Sequence, residues 1–332
     1  MLKDDLSKIR ERLNRAENIA IFAHIRPDGD SVGSVLALGW ALEDQGKTVQ
    51  YVSEDPIPER YKFLFRFHTN GENPFVKEPA GADCYIMPDI SSLDRAGRFF
   101  EEHPDQTPDI SIDHHISNRG TAALNWIDPA SPAACCVLAA IMPELGFKFT
   151  KRISSALLCG IITDTNSFSN SNVNAASLRM AADMVDNGAD IFPICRAAYK
   201  EHSLQETAFW KTGMNNMHVE GSLVWSVIRK ADRDAIGMDS DDDSDFVSYM
   251  GNTAGINVSV LFTETNELDT KVSWRALPGY DVSEVAVALG GGGHKAASGA
   301  TIRKPLDEAI PAVLAKTKAM LFKETLIYSV NI

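Results

Sequence analysis

Short apolar runs alternate with helical patterns through the first half of the chain. Residues 18–24 predict a buried strand, and residues 31–45 predict a helix that ends before Gly46. Further strands are predicted at residues 48–53, 83–90 and 109–115. Because helices and turns separate these strands, we expect βαβ crossovers and a parallel sheet in an α/β fold.

The second half of the chain has a different pattern. Residues 175–208 predict helices that end in polar residues and connect two domains. The acidic run at 239–245 predicts a solvated loop or a helix start. Strands of a mixed sheet, with helices alongside, are predicted at 223–229, 257–263 and 271–275. We therefore divide the chain into a first domain at 1–190, a helical connector at 191–215 and a smaller α/β domain at 216–332.

The composition fits a globular protein of this organisation. The chain has 332 residues, of which 44% are hydrophobic and 23% are charged, and this length suits two domains. Its five cysteines form no CxxC pair, which argues against a disulfide framework or a zinc ribbon and favours the reducing cytoplasm. No apolar run approaches the roughly 20 residues that span a bilayer, so we expect a soluble protein without a membrane partner.

Net charge restricts the partners further. The formal charge is −13 at pH 7, whereas proteins that track long nucleic acids normally carry a basic stripe. We therefore expect no long DNA or RNA partner. A nucleotide bound in a local pocket is compatible with this charge.

Acidic and histidine residues lie where the predicted strands of the first domain end. His24, Asp28 and Asp30 surround the turn after the first strand. Carboxylates are hard oxygen ligands, and imidazole suits Mn²⁺ or Fe²⁺ better than Mg²⁺. Alternatively, Asp30 or Ser31 merely caps the following helix. Because ligands bind at the carboxyl ends of parallel strands, residues distant in sequence can converge at this edge.

Three more motifs reach the same edge of the predicted sheet. Asp89 lies at the end of the third predicted strand, and Asp113, His114 and His115 lie at the end of the fourth. One of the two histidines can ligate a metal while the other reaches a substrate, and Asp113 can orient an imidazole. Asp164 follows an apolar, helix-like run. Each motif alone also fits a helix cap or a loop, but together they supply four carboxylates and two imidazoles for two divalent ions.

Four consecutive glycines precede His294 in the second domain. Glycine leaves backbone N–H groups free to approach an anion closely, so this run predicts a phosphate-binding loop. His294 could add a hydrogen bond to the phosphate. The alternative is a flexible loop without a ligand.

With these residues in place, the chain resembles the DHH phosphoesterase family. The glycine run with His294, and Arg275 before it, resemble the DHH-associated C-terminal domain of the GGGH type. The resemblance covers nearly the whole chain and points to the branch of nanoRNases (oligoribonucleases) and 3′-phosphoadenosine 5′-phosphate phosphatases. Two departures, Pro88 before the third-strand aspartate and Ser298 where alanine is usual, remove no ligand. The four N-terminal motifs of the family are matched in order and spacing by His24, Asp28, Asp30, Asp89, Asp113, His114, His115 and Asp164.

The resemblance implies a role for each of these residues. The expected cofactors are two divalent ions, with Mn²⁺ as the expected metal, held by His24, Asp28, Asp30, Asp89, His114 and Asp164. His24, Asp28 and Asp89 would hold one ion, and the remaining ligands together with Asp89 would hold the other. Asp89 would thus bridge the ions, and a hydroxide between them would attack phosphorus. His115, supported by Asp113, would act on the scissile phosphate.

The resemblance also implies how substrate is held and selected. The active site would lie in the cleft between the two domains. The far phosphate or base would be held there by Arg275, Gly291, Gly292, Gly293 and His294.

The resemblance therefore implies a manganese-dependent phosphoesterase acting on short 5′-phosphorylated oligonucleotides, with 3′-phosphoadenosine 5′-phosphate as a further substrate. One alternative is a phosphodiesterase for cyclic or linear dinucleotides in signalling. Another is a catalytically silent nucleotide-binding module, although every expected ligand is present. The direction of degradation and a homodimer stay open, because no residue specifies either.

Overall fold

The computed structural model of the chain describes residues 2–238 and 244–330. The chain divides into two compact units after Glu201. The acidic run predicted at 239–245 lies largely outside the described residues. Within the described ranges, no helix is both long and apolar enough to cross a membrane.

The first unit is built from short strands and longer helices. Its strands are β1 (Leu2–Lys3), β2 (Asn18–Phe22), β3 (Thr48–Val52), β4 (Phe75–Val76), β5 (Cys84–Pro88), β6 (Ile110–Asp113) and β7 (Leu124–Ile127). Its helices are α1 (Leu6–Arg15), α2 (Gly29–Glu43), α3 (Phe99–Glu102), α4 (Ala134–Ile141), α5 (Lys151–Asp164), α6 (Ala175–Asp186) and α7 (Ile191–Tyr199). Short 3-10 helices lie at Glu59–Phe67, Thr69–Gly71 and Leu93–Ala96.

The seven strands form one sheet in the order β1-β7-β6-β5-β2-β3-β4. Every neighbouring pair is parallel except β1 and β7, which are antiparallel. This confirms the predicted parallel sheet, and the four predicted strands correspond to β2, β3, β5 and β6. The strands β1, β4 and β7 at the two sides of the sheet were not predicted.

Both faces of this sheet are covered, as the apolar strands require. Along β2, Ile19 and Ile21 belong to the main core cluster, which includes the buried apolar residues of α2 and α5. The alternate residues Ala20 and Phe22 belong to a second cluster with the rings of Phe99 and Phe100.

The second unit has its own sheet and core. Its strands are β8 (His218–Glu220), β9 (Leu223–Ile228), β10 (Val258–Glu264), β11 (Thr270–Ala276), β12 (Gly292–His294) and β13 (Ala297–Ile302). Its helices are α8 (Leu204–Asn215), α9 (Lys230–Ala235), α10 (Ser244–Gly251), α11 (Val282–Val287) and α12 (Leu306–Val330). The strand order is β12-β13-β11-β10-β9-β8, and only β9 and β10 are parallel, so the predicted mixed sheet is confirmed.

Alternate residues of β10 enter different cores. Val260 and Phe262 pack with residues of α11 and α12, whereas Leu261 packs with residues of α8 and α10. Helices therefore cover both faces of this sheet as well. The predicted connector at 191–215 contains two helices, α7 in the first unit and α8 in the second; its limits stay a prediction.

Candidate metal centre

Three adjacent strands deliver the predicted site residues of the first unit. In the order β6-β5-β2, Asp113 is the last residue of β6, Asp89 follows β5 directly, and His24 lies two residues beyond β2. Because these strands are parallel, their carboxyl ends lie at the same edge of the sheet. His114 follows Asp113, and Asp164 is the last residue of α5.

The turn after β2 is fixed by side-chain hydrogen bonds. Asp28 is the N-cap of α2, and its Oδ1 accepts hydrogen bonds of 3.0 Å from the amides of Asp30 and Ser31. The alternative that Asp30 or Ser31 caps this helix is therefore wrong. Ser31 instead accepts the amide of His24 at 3.0 Å, which holds that histidine against the start of α2.

His24, Asp28 and Asp89 form the first group of close ligand atoms. His24 Nε2 lies 3.6 Å from Asp28 Oδ1 and 3.5 Å from Asp89 Oδ2. The other ring nitrogen, Nδ1, lies 2.9 Å from the carbonyl oxygen of Ile25 and 3.2 Å from the Arg95 guanidinium. The Ile25 carbonyl can only accept and the Arg95 guanidinium can only donate, so these two contacts hold the ring without fixing the proton on Nδ1, while Nε2 faces the two carboxylates.

Asp30, His114 and Asp164 form the second group. His114 Nε2 lies 3.5 Å from Asp164 Oδ2 and 4.0 Å from Asp30 Oδ2. It also lies 3.5 Å from Asp89 Oδ1. Asp89 thus directs one carboxylate oxygen to each group, the arrangement that a bridging ligand requires.

The six residues predicted as metal ligands are therefore brought together, and their environment fits divalent cations. Asp89 Oδ1 is buried and has no hydrogen-bond partner, and such an orphaned carboxylate oxygen calls for a cation. Burial, reinforced by the neighbouring carboxylates, raises the pKa of Asp89 well above its ordinary value and that of Asp164 to about 7. Burial also raises the pKa of Asp30. Cations at this cluster would oppose these shifts, because a nearby positive charge favours the charged carboxylate.

Asp30 is oriented by the start of α4, more than 100 residues away in sequence. Its Oδ2 accepts the amide of Ala134 at 2.6 Å, and its Oδ1 accepts the amide of Cys135 at 2.9 Å. Two backbone donors at a helix N-terminus favour the charged carboxylate. Backbone donors leave no mark in the sequence, so no motif could have indicated this contact.

Asp113 and His115 form a pair beside the two groups. Asp113 Oδ1 accepts the Nδ1 proton of His115 at 2.7 Å, which orients the ring of His115. Burial alone would raise the pKa of Asp113, but hydrogen bonds from His115 and Asn118 lower it. The hydrogen bond to Asp113 in turn raises the pKa of His115, whose side chain is 40% exposed and so can reach a ligand.

Asn118 is a site residue that sequence reasoning missed. Its amide donates to Asp113 Oδ2 at 2.8 Å. An asparagine before Arg119-Gly120 is typical of a turn, so the sequence carried no signal for a contact with a buried carboxylate.

The predicted substrate-binding residues lie together in the second unit. Arg275 of β11 pairs with Ala297 of β13, which in turn pairs with His294 of β12. Ser298, one of the two departures from the family pattern, donates to the carbonyl of His294 at 2.8 Å.

The glycine run is an edge strand rather than an open loop over residues Gly292–His294. The amide of Gly291 donates to the Ala286 carbonyl at 2.8 Å, so it is not available to an anion as predicted. A Cβ at Gly291 would lie 2.2 Å from the Gly299 carbonyl oxygen, so close packing against β13 requires glycine at this position. At Gly292 a Cβ would meet nothing within 4 Å, so packing does not require glycine at this position and the space beside its backbone is open.

Comparisons with known proteins agree with this geometry. Residues 18–161 match the N-terminal domain of the DHH family, and residues 222–322 match the DHHA1 domain. A Thermus thermophilus protein named bifunctional oligoribonuclease and PAP phosphatase NrnA is 32% identical over 308 residues, which cover 91% of this chain and 90% of the relative.

Solved structures support the fold. An exopolyphosphatase-related protein from Bacteroides fragilis aligns with a TM-score of 0.87 at 21% identity, over 97% of both chains. RecJ from Thermus thermophilus in complex with Mn²⁺ aligns with a TM-score of 0.53 at 16% identity, over 94% of this chain and 53% of RecJ.

Proposed function

The chain belongs to the DHH family of phosphoesterases, and on this premise we propose that it hydrolyses short 5′-phosphorylated oligonucleotides, with 3′-phosphoadenosine 5′-phosphate as a second substrate. The observation that carries this proposal is the position of Asp89 between two ligand groups, with one carboxylate oxygen 3.5 Å from His24 of the first group and the other 3.5 Å from His114 of the second. The name of the Thermus relative, at 32% identity over most of both chains, supports the choice of substrates.

The proposed cofactors are two Mn²⁺ ions. His24, Asp28 and Asp89 would hold one ion, and Asp89 would share the other with the second group. Carboxylates mixed with imidazole suit Mn²⁺ better than Mg²⁺, which prefers oxygen ligands alone. The Mn²⁺ bound by the structurally similar RecJ is consistent with this choice.

Four carboxylates surround the proposed ions, so a neutral cluster results from two divalent cations. Bound divalent ions supply Lewis-acid activation of water and neutralise charge on the phosphate. The protein's part is to fix the ligands before substrate arrives. The helix cap by Asp28 and the two amides on Asp30 do so without side-chain rearrangement.

His115 is the residue that we assign to the scissile phosphate. With Nδ1 bonded to Asp113, its Nε2 is the nitrogen left for a ligand. In the reaction, a water oxygen bonds to phosphorus, the P–O ester bond breaks, and a proton reaches the leaving oxygen. The raised pKa of His115, caused first by its bond to Asp113, favours the protonated ring that can donate at Nε2.

Arg275, Gly292, Gly293 and His294 are the proposed contacts for a distal phosphate or base. The register of β11, β13 and β12 supports this assignment, because it places Arg275 and His294 on either side of Ala297. The open space at Gly292 allows a ligand to approach the backbone. Gly291 is left out of this set because its amide is already bonded.

The test is product analysis with purified protein and Mn²⁺ on four compounds. These are a 5′-phosphorylated dinucleotide, 3′-phosphoadenosine 5′-phosphate, a cyclic dinucleotide and a long single strand. We expect the first two to be consumed and the long strand to be spared. Preference for the cyclic compound would replace the proposed substrate class, and inertness towards all four would overturn the proposed hydrolase.

A further inference from the structure

Asn118 lies in the loop after β6 and is buried, with 6% of its surface exposed. Its Nδ2 donates to Asp113 Oδ2 at 2.8 Å and to the Ile90 carbonyl at 3.1 Å, with Ser111 Oγ at 3.3 Å. Its Oδ1 accepts the amide of Gly120 at 2.9 Å. Every polar atom of this amide is therefore used, which fixes its orientation.

The two oxygens of Asp113 have different partners. Oδ1 accepts the amides of His114 and His115 at 2.7 and 3.2 Å and the Nδ1 proton of His115 at 2.7 Å. Oδ2 accepts a hydrogen bond from the side-chain amide of Asn118, and among the described residues this amide is its one donor. Asp113 is fully buried, so without Asn118 this charged oxygen would lose its partner inside the protein.

Asn118 also reaches the neighbouring strand end. The Ile90 carbonyl that it binds follows Asp89, whose carboxylate lies between the two ligand groups. One amide thus joins the loop after β5 to the loop after β6. These loops carry Asp89 on one side and Asp113 to His115 on the other.

We infer that Asn118 is a positioning residue that, through Asp113, holds the His115 ring in its working orientation. The inference rests on the proposed function, because it concerns the residue assigned there to the scissile phosphate. By anchoring Oδ2, Asn118 keeps Oδ1 directed at His115 Nδ1, so that Nε2 is presented to substrate. Replacing a residue that orients an active-site side chain in this way typically lowers activity about 10- to 100-fold.

The test compares Asn118 with a matched asparagine. Asn125 is in the same unit and equally buried at 6%, and its side chain bonds the backbone of Ala122 away from Asp113 and His115. We expect Asn118→Ala to lower kcat about 10- to 100-fold with KM for the dinucleotide changed less than about 3-fold. Asn125→Ala should lower the melting temperature while leaving kcat within about 2-fold of wild type.

A second variant separates packing from hydrogen bonding. Asn118→Leu keeps a side chain of similar size but removes the donor to Asp113. Oδ2 of Asp113 then lacks its partner, so Asp113 should turn away from His115. We expect the same loss of kcat as for Asn118→Ala. Retention of kcat by the folded Asn118→Leu variant would mean that only shape matters and would overturn the inference.

A double-mutant cycle with Asp113→Asn tests the route through Asp113. If Asn118 acts by this route, Asn118→Ala should reduce kcat less than about 2-fold further in the Asp113→Asn background. An undiminished further loss would overturn the route. The ¹⁵N shifts of the His115 ring give a readout besides activity: the share of Nδ1-protonated ring should fall in Asn118→Ala and stay unchanged in Asn125→Ala.

The outcomes separate this inference from the proposed function. A wild-type protein that is inert towards all four compounds contradicts the proposed function. An active wild-type protein in which the Asn118 and Asn125 variants behave alike contradicts the inference alone.

Discussion

Asp89 is unusual for an aspartate in both its backbone conformation and the environment of its side chain. Its φ of 57° lies in the left-handed region, it is buried, and its Oδ1 has no hydrogen-bond partner. Strained residues of this kind persist where the surrounding structure holds them and often lie at functional sites. Here the left-handed turn directs the carboxylate to both ligand groups.

Asp89→Asn tests the bridging role. Asparagine tolerates a positive φ, so the backbone should be kept, but the negative charge and one oxygen ligand are lost. We expect hydrolysis of the dinucleotide to fall by a factor on the order of 1,000, with weaker Mn²⁺ binding by calorimetry. The exposed Asp94, on the 3-10 helix that follows, gives the control Asp94→Asn, which should behave as wild type. Near-normal activity of Asp89→Asn with Mn²⁺ would contradict the bridge.

Asp164 makes the stability of the metal-free protein depend on pH. Burial raises its pKa from 3.8 to about 7, so between these values the folded state binds a proton that the unfolded chain has released. Stability then falls as the pH rises from about 4 to about 7, and the loss is complete above 7. A salt-bridged carboxylate has the opposite effect, because its lowered pKa makes stability rise with pH.

Asp164→Asn should remove this effect. With a chelator present, we expect the variant to exceed wild type by about 1 to 3 kcal/mol at pH 8 and to match it near pH 4, measured by denaturant unfolding. With saturating Mn²⁺ the order should reverse, because the variant lacks a ligand. The exposed Asp105→Asn should show neither change. Equal stability of Asp164→Asn and wild type at pH 8 would contradict a buried Asp164 whose charge destabilises the metal-free protein.

At this scale the sequence located the proposed ligands but not the contacts that orient them. His24, Asp28, Asp89 and the Asp113-His114-His115 run were found because their chemistry is visible in short local motifs. The amides that hold Asp30 come from residues 104 and 105 positions away, and backbone donors have no sequence signature.

Helices α2 and α5 approach each other closely at glycines near the proposed metal ligands. A Cβ at Gly160 would lie 2.3 Å from Cys135 Sγ and 2.6 Å from Asp30 Oδ1. A Cβ at Gly33 would lie 2.5 Å from the Ala156 carbonyl oxygen. The spacing of these two helices therefore sets the place of Asp30.

Gly160→Ala should displace Asp30 as well as destabilise the fold. We expect a loss of about 1 to 3 kcal/mol from overpacking together with about 10-fold weaker Mn²⁺ binding. Gly39→Ala is the matched control, since this α2 glycine is equally tight, with Tyr51 at 2.2 Å. That variant should lose stability in denaturant unfolding without losing Mn²⁺ affinity by calorimetry. Unchanged affinity in Gly160→Ala would contradict the link between helix spacing and Asp30.

The elements that the sequence predicted are those with strong local patterns. The strands β2 and β5 contain apolar runs of at least four residues, and in β3 and β6 a single polar residue separates apolar ones. In contrast, β1 and β4 have only two residues each and depend on their partners. The glycine run has no side chains to show an alternating pattern. Its pairing with β13 is therefore a tertiary effect that no local rule indicates.

At the scale of the whole molecule, net charge bears on the substrate length that we propose. The net charge of −13 offers no general attraction for a polyanion, so long strands should gain nothing from additional phosphates. We expect a long single strand to bind weakly, with a Kd that changes less than about 3-fold between 50 and 200 mM salt. A Kd of the long strand that rises by a factor of about 1,000 over this range, as for proteins that bind many phosphates, would contradict local recognition.

The central claim is that the two ligand groups around Asp89 work as one metal centre for phosphoester hydrolysis. The direct measurement is a Mn²⁺ titration of the metal-stripped protein, followed by hydrolysis of a 5′-phosphorylated dinucleotide. We predict no turnover before Mn²⁺ is added and a rate that saturates at two bound ions per chain. Full turnover by the stripped protein, or none at any Mn²⁺ concentration, would contradict the claim.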